Sequence, residues 1–425
     1  MIRHHAAARR AGTELKWSAL EFPDRRVTRV SGTLRGVQGP LARPWCGELI
    51  KTPGRYGYWA YSSQPLPASL DLPASTARIL SEADRALGWC TGAGRLLPNP
   101  HLLLQLYIAR EALASSRIVG TQASLSDVFD AQARDTAEGP VREVTNYISA
   151  LEHGLTRLRT LPLSKRLLRE VHGILLDDVR GRERRPGEIR SSQNWIGSPD
   201  NRPETAVFVP PPPGDMQTAM DALEQYLHAD TELPPLVEIA LIHYQFETIH
   251  PFLDGNGRLG RLLIAFLLVE RSLLPQPLLY LSAYFERRRS DYYDHLQAVR
   301  ERGQIAAWLD FFLTGVAEQA ADAVARAEAL ADLRETYRAK LQGDRSRAIE
   351  VVDLMFQNPV LVTNRIATEL NVTVQSALNH LRRLESEGIV REAVGVRGRS
   401  KRWVAPAVFE ALDPNATIEF NDAEQ

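Results

Sequence analysis

Between two apolar segments of the chain runs HPFLDGNGRLGR, His250 to Arg261. Arg258 and Arg261 fall in what should be the first turn of a helix, the end whose partial positive charge favours acidic residues. A Gly-rich turn that opens a helix aims several backbone N–H groups at one point and makes an anion site. The two arginines are three apart and so share one side of the helix start. Two guanidiniums beside unpaired N–H groups need a partner, and a polyphosphate supplies one, since arginine matches phosphate oxygens bidentately. Asp254 is a hard oxygen ligand suited to Mg²⁺ bridging two phosphates. His250 closes the preceding helix and titrates in the range of a general base acting on a hydroxyl. Singly, each residue has a plain explanation: a capping histidine, a turn aspartate, glycines Gly255 and Gly257 shaping a turn, surface-paired arginines. One phosphate site accounts for all of them together.

Such a loop needs firm elements on both sides. PLVEIALIHYQFETIH (235–250) places Leu236, Ile239, Ala240, His243, Phe246, Ile249 and His250 on one helical face, and Pro251 ends it. RLGRLLIAFLLVERSLL is apolar nearly all round and predicts a buried central helix. Helical spacing also marks segments from residue 76, through LLLQLYIAREALASSRI, VTNYISALEHGLTRL and SKRLLREVHGILLDDV. The runs SQNWIG and TAVFVP flank a turn-rich stretch and predict a β-hairpin, stopped by prolines 210–213 before a helix near 214–229. Helices continue to about residue 342. Residues 347–408 then read as three short helices, the second and third joined by a tight Asn371-Val372-Thr373 turn, and two strands around a Gly-rich loop: a winged helix-turn-helix pattern. The expected organisation is a loop-rich arm (1–75), a helical catalytic domain (76–342) and a winged-helix domain with a tail (343–425).

Composition bounds the rest. At 425 residues there is room for two or three domains, and 44% hydrophobic with 24% charged residues is ordinary globular usage. A formal net charge of −1 offers no global attraction to polyanions, so a nucleic-acid contact needs a local patch. Two cysteines, Cys46 and Cys90, form neither a disulfide framework nor a zinc pattern. The apolar run 262–269 is too short to span a bilayer, and the basic start lacks the apolar core of a secretory signal. A cytoplasmic protein with no membrane contact is expected.

HPFLDGNGRLGR resembles the signature of the Fic-domain family, His-x-Phe-x-Asp/Glu-Gly-Asn-Gly-Arg-x-x-Arg, at every specified position. The resemblance extends over roughly 75–340. It implies a mainly α fold, an all-helical core with a β-hairpin flap, and transfer of AMP from ATP to a Ser, Thr or Tyr hydroxyl of a protein. By that resemblance His250 is the base and Asp254 holds Mg²⁺. Gly255, Asn256 and Gly257 meet the phosphates, Asn256 at the α-phosphate, and Arg258 and Arg261 hold the β- and γ-phosphates. The hairpin, with Asn194, Trp195, Ile196, Phe208 and Val209, corresponds to the flap that aligns an extended target by strand addition. Tyr292 and its neighbour Tyr293 suit the rim of an adenine site, a helix core or self-modification equally. SSRIVGTQ (115–122) resembles the family's inhibitory motif Ser/Thr-x-x-x-Glu-Gly/Asn at Ser115 and Gly120 but has Val119 where the glutamate belongs. Valine carries no charge and accepts no hydrogen bond, so Arg261 is expected to be open to ATP and the chain de-repressed. In the C-terminal part, Arg391 to Arg402 holds five basic residues and one acidic. Gln375, Asn379, Arg382 and Arg383 make a recognition face that suits DNA and protein equally. The target protein is not specified; self-modification and a homodimer both fit. A DNA-binding regulator with a nucleotide-sensing core is the second function class.

Overall fold

The computed structural model of the chain describes residues 47–52, 57–96, 100–179, 182–275, 278–343, 346–393, 401–414 and 418. Most of the expected N-terminal arm, Cys46, and the Gly-rich loop at 394–400 lie outside them. The described elements are β1 (Glu48–Lys51), β2 (Trp59–Ser62), α1 (Ala74–Leu96), α2 (Pro100–Ile118), α3 (Leu125–Arg134), α4 (Gly139–Arg157), α5 (Lys165–Leu175), α6 (Pro213–Leu227), α7 (Pro235–Ile249), α8 (Asn256–Glu270), α9 (Ser282–Arg287), α10 (Arg289–Arg302) and α11 (Ile305–Lys340). There follow α12 (Ala348–Met355), β3 (Val360–Val362), α13 (Thr363–Glu369), α14 (Val374–Ser386), β4 (Arg391–Glu392), β5 (Arg402–Val404) and α15 (Pro406–Leu412). The chain is mainly helical, as expected.

The central pair is α7 and α8. Every residue of α7 from Leu236 to Ile249 is buried, and so is α8 from Arg258 to Leu268. Their sequences are apolar enough to be wrapped on all sides by α2, α4, α5, α6 and α11. Local signals set many of the ends. Pro213 and Pro235 stand in the first turns of α6 and α7, where a missing N–H costs nothing. Ser124 and Asp127 form a reciprocal capping box at the start of α3. Gly120 (φ +92°) ends α2 in the left-handed conformation, with Thr121 N–H donating to Ser116 O at 3.1 Å.

Three features depart from expectation. β1 and β2 pair antiparallel, and the chain after them is no appendage: Tyr61 N–H donates to Val209 O (2.9 Å), Gln245 to Gln64 O (3.0 Å) and Tyr226 to Pro67 O (3.1 Å). The expected two-stranded hairpin at 193–209 is a single antiparallel bridge, Ile196 with Phe208. Its short runs add one further backbone bond, Val207 N–H to Gly197 O (3.2 Å), and then give way to Pro- and Gly-rich chain. Finally, α3 and α15 were not foreseen.

The C-terminal elements are four helices, α12 to α15, with a three-stranded antiparallel sheet in the order β3-β5-β4. They lean on the helical core. Asn358 donates to Phe129 O (2.9 Å), Phe129 and Phe409 meet edge to face at 5.7 Å, and Arg402 pairs with Asp130 at 3.1 Å, both buried. Arg402, counted among the basic residues of a DNA contact, is therefore taken up by this seam. The 36-residue α11 touches α1, α7 and α10 in the core and α12 and α15 beyond it.

Candidate active site

The loop between α7 and α8 is held partly from within and partly by residues far along the chain. His250 ends α7 with φ 50° and ψ 62°, a left-handed conformation that a residue with a side chain adopts at a cost of ~1–3 kcal/mol. Distant residues fix it there. Arg190, 2% exposed, donates from Nε to His250 O (2.9 Å) and from Nη1 to Ser192 O (3.1 Å), and its backbone N–H donates to Pro251 O. Asn194 Nδ2 donates to His250 O (3.2 Å) and Phe252 O (2.8 Å). On the other side, His172 stacks on Phe252 with ring centroids 3.9 Å apart. Gly187 N–H donates to His172 Nδ1 (2.8 Å), so Nε2 carries the proton and donates to Asp254 O (2.9 Å). Burial pushes this imidazole down to about 4, which keeps it neutral and in that role. Gly255 (φ +75°) lies against the same ring, and a Cβ there would stand 3.3 Å from Nε2.

The structure brings His250, Asp254 and the start of α8 together, as the spacing implied. Asn256 is placed differently. Its Nδ2 donates to Phe252 O and its Oδ1 accepts from Phe252 N–H, both at 2.8 Å, so its amide closes the loop instead of facing a phosphate. What the helix start offers an anion is its first-turn backbone N–H groups, which have no intrahelical partner. Asp254 is half-buried and accepts from Gly255 N–H at Oδ1 (2.6 Å). A single accessible carboxylate is the donor set of a Mg²⁺ held mainly by phosphate oxygens and water. Among the described residues no group of three or more His, Cys, Asp or Glu converges on one point.

The two arginines have different neighbours. Arg258 is buried, with Nη1 3.7 Å from Glu143 Oε2 on α4, and Thr121 Oγ1 donates to the same Oε2 at 2.6 Å. Arg261 donates from Nε to Ser115 Oγ and from Nη2 to Ser115 O, each at 2.8 Å. This corrects the expectation that Arg261 lies open opposite Val119: Ser115, one turn earlier on α2, faces it. The carbonyl of Ser115 is among the last four of α2, which a cation satisfies well. Val119 itself is half-buried past the end of that helix.

Tyr292 is a core residue. It is 1% exposed, stacks on Phe285 at 4.5 Å and bonds His243 Nε2 at 2.8 Å, so it has no face for an adenine. In the flap, Trp195 and Ile196 are half-exposed, but Phe208 and Val209 point into the molecule. The Arg300 guanidinium lies 3.8 Å over the Phe208 ring. Asn194 is committed to the loop. His172, Arg190, Glu143 and Arg300 were missed in the sequence because each is a single residue far along the chain, with no spacing to mark it; Glu247 lies three residues before His250 on a helix that reads as core.

The family profile described as "Fic/DOC family" matches residues 162–268, and the profile "Fic/DOC family N-terminal" matches residues 77–156. Residues 77–268 of the chain thus match the Fic/DOC family in two adjoining stretches. A protein of Culex quinquefasciatus named "Protein adenylyltransferase Fic" is 34% identical over 149 residues, 34% of this chain and 26% of that protein. One of the same name from Drosophila willistoni is 35% identical over 127 residues, 29% of this chain and 22% of that protein. The chain thus spans about a quarter of the length of the relatives it matches. A crystal structure of a Fic family protein from Desulfovibrio desulfuricans G20 superposes with a TM-score of 0.51 at 22% identity, covering 79% of this chain and 97% of that one. The Fic fold therefore extends over most of the chain. Among the described residues no helix is long and apolar enough to cross a membrane.

Proposed function

We propose that this chain is a protein adenylyltransferase, moving AMP from ATP to a Ser, Thr or Tyr hydroxyl of a target protein or of itself and releasing pyrophosphate. The observation that carries the reading is one imidazole, His250, held beside a helix N-terminus that bears two buried arginines. His250 Nδ1 lies 3.3 Å from Glu247 O, a carbonyl that can only accept. The proton therefore sits on Nδ1 and the lone pair on Nε2. Nε2 takes the hydroxyl proton, the oxygen attacks the α-phosphorus, and the bond to the β-phosphate breaks. The α8 N–H groups with Arg258 and Arg261 meet the charge that develops on the phosphates; such fixed donors and positioning supply most of the catalysis in phosphoryl-type transfers. Asp254 is the residue that would hold Mg²⁺, which when bound neutralises phosphate charge.

Residue 119 sets the resting state in this reading. A glutamate there would add a carboxylate next to Arg261; here the arginine is held by two neutral oxygens of Ser115. Neutral acceptors hold a guanidinium less strongly than a carboxylate does, so ATP displaces them more readily and the chain is de-repressed. Residues 76–342 form the catalytic unit and 343–425 an appended winged helix for targeting or regulation. The exposed Gln375, Asn379, Arg382 and Arg383 on α14 support the second reading, a DNA-binding regulator with a nucleotide-sensing core. A sensor needs no base at position 250, and the same experiment separates the two. Mass spectrometry of the purified chain and lysate proteins after ATP and Mg²⁺ should show an adenylyl adduct, lost in His250→Ala and reduced in Val119→Glu. No adduct with the wild-type chain sinks the enzyme reading, and an unchanged rate in Val119→Glu sinks the de-repression.

A further inference from the structure

Glu247 stands one helical turn before His250 on α7 and is 7% exposed. Its Oε2 lies 4.0 Å from His250 Nδ1, and its backbone carbonyl accepts that nitrogen's proton. Its Oε1 is buried and has no hydrogen-bond partner among the described residues. The carboxylate fits there because residue 260 is glycine: a Cβ on α8 would stand 2.3 Å from Oε1. A buried carboxylate with an oxygen left unpaired is costly unless nearby charge compensates it. The groups that face it are His250 on its own helix, Arg261 from α8, and Arg300, Tyr292 and Tyr293 from α10.

The surroundings of His250 are hostile to an imidazolium. Burial first, then the positive charges of Arg190 and Arg300, push its ring down to about 3. The proposed reaction nevertheless asks that ring to accept a proton. Of the ionisable side chains around it, Arg190 and Arg300 oppose the new charge, and the Glu247 carboxylate is the one that answers it.

We propose that Glu247 is a positioning residue for proton abstraction: its ionised carboxylate holds His250 Nδ1–H inward and stabilises the imidazolium formed when Nε2 takes the target hydroxyl's proton. The inference rests on the adenylyl-transfer reading. The proton passes from the hydroxyl to Nε2 and leaves to solvent when His250 resets; Glu247 takes none. Because burial raises the Glu247 carboxyl above the usual carboxylate range, acidification neutralises it early, and the rate falls with it.

The test is the pH–rate profile of transfer by the full chain at saturating ATP, from about pH 5 to 8, for wild type, Glu247→Gln and Glu247→Asp. Glu247→Gln should lower kcat ~10- to 100-fold with KM for ATP within ~2-fold, and should lose the acidic limb seen in wild type. Glu247→Asp should keep the limb and recover part of the rate. A Gln variant within twofold of wild type, one that keeps the acidic limb, or one that loses activity through KM alone would overturn the proposal, the last reducing Glu247 to a neighbour of Arg261. If the Gln variant does not fold, the Asp variant decides: a wild-type rate, or a profile without the limb, overturns it. An arm free of activity uses the ring ¹⁵N signals of His250. Removing the Glu247 charge should make the ring harder to protonate, and superimposable titrations of wild type and variant would overturn the proposal even if no transfer occurs.

Discussion

Two helix–turn–helix joints in this chain share a backbone device and differ in what holds it. His250, between α7 and α8, and Asn371, between α13 and α14, both sit in the left-handed region, at φ 50° and 51°. Asparagine enters that region readily because its short amide bonds locally, and histidine is also enriched there, so the joints differ less in residue type than in what surrounds them. Around Asn371 the carbonyls of Ile366, Ala367 and Thr368 take the next backbone N–H groups, and the Thr373 hydroxyl caps α14. That joint is encoded within about ten residues. Around His250 the holding groups come from Arg190, Asn194 and His172, 56 to 78 positions away by residue number. A locally encoded turn is a connector. A turn held by remote side chains as well as by its own Asn256 places one particular side chain, here the proposed base.

The largest test of that contrast is Arg190→Ala. It leaves the carbonyls of Ser192 and Pro211 without this buried donor and His250 O with Asn194 Nδ2 in its place. The expected loss is ~3 kcal/mol of stability, read as a drop in Tm, together with most of the transfer rate. An active enzyme with an unchanged Tm would show that the loop holds itself. Next comes pH. His172, His243 and His250 are pushed by burial to about 4, 3 and 3, below the ordinary histidine range. The unfolded chain then binds more protons than the folded one between the two values. Stability is complete above the unfolded pKa and is lost as pH falls toward the folded one. From pH ~7 to ~5 each such histidine removes ~2 kcal/mol. Tm should fall over that range, and His172→Gln should make the slope shallower; a slope identical to wild type would contradict the burial argument. The smallest effect concerns the left-handed residues themselves. His250→Gly should exceed His250→Ala in stability by ~1 kcal/mol, while Asn371→Gly should lie within ~0.5 kcal/mol of wild type. Equal costs at both joints would erase the distinction drawn here.

The sequence made the chemistry of the loop legible because HPFLDGNGRLGR concentrates it in twelve residues. Apolar periodicity located α7 and α8 because helices buried on all sides have few polar interruptions. What stayed hidden has a common cause. Arg190, His172 and Glu143 act through space, and nothing in their local sequence distinguishes them from surface residues. Asn256 and Tyr292 were legible as residues but not as orientations: both direct their polar atoms to partners inside the protein, Phe252 and His243. Ser115 is legible as a motif position, but not its contact with Arg261: with valine at 119 the sequence leaves that arginine open, and only the fold shows Ser115 facing it. The flap reads as a hairpin, but alternation alone could not show that its pairing is confined to Ile196–Phe208 and the adjoining Val207–Gly197 bond.

The length of α11 has a mechanical meaning. At 1.5 Å per residue its 36 residues make a strut of about 54 Å, uninterrupted by proline. One end is clamped by the helices that enclose the active-site pair, the other by the C-terminal unit. A tilt of one degree at either end displaces the other by about 1 Å over that length. The active-site core and the C-terminal unit are therefore joined by one continuous helix.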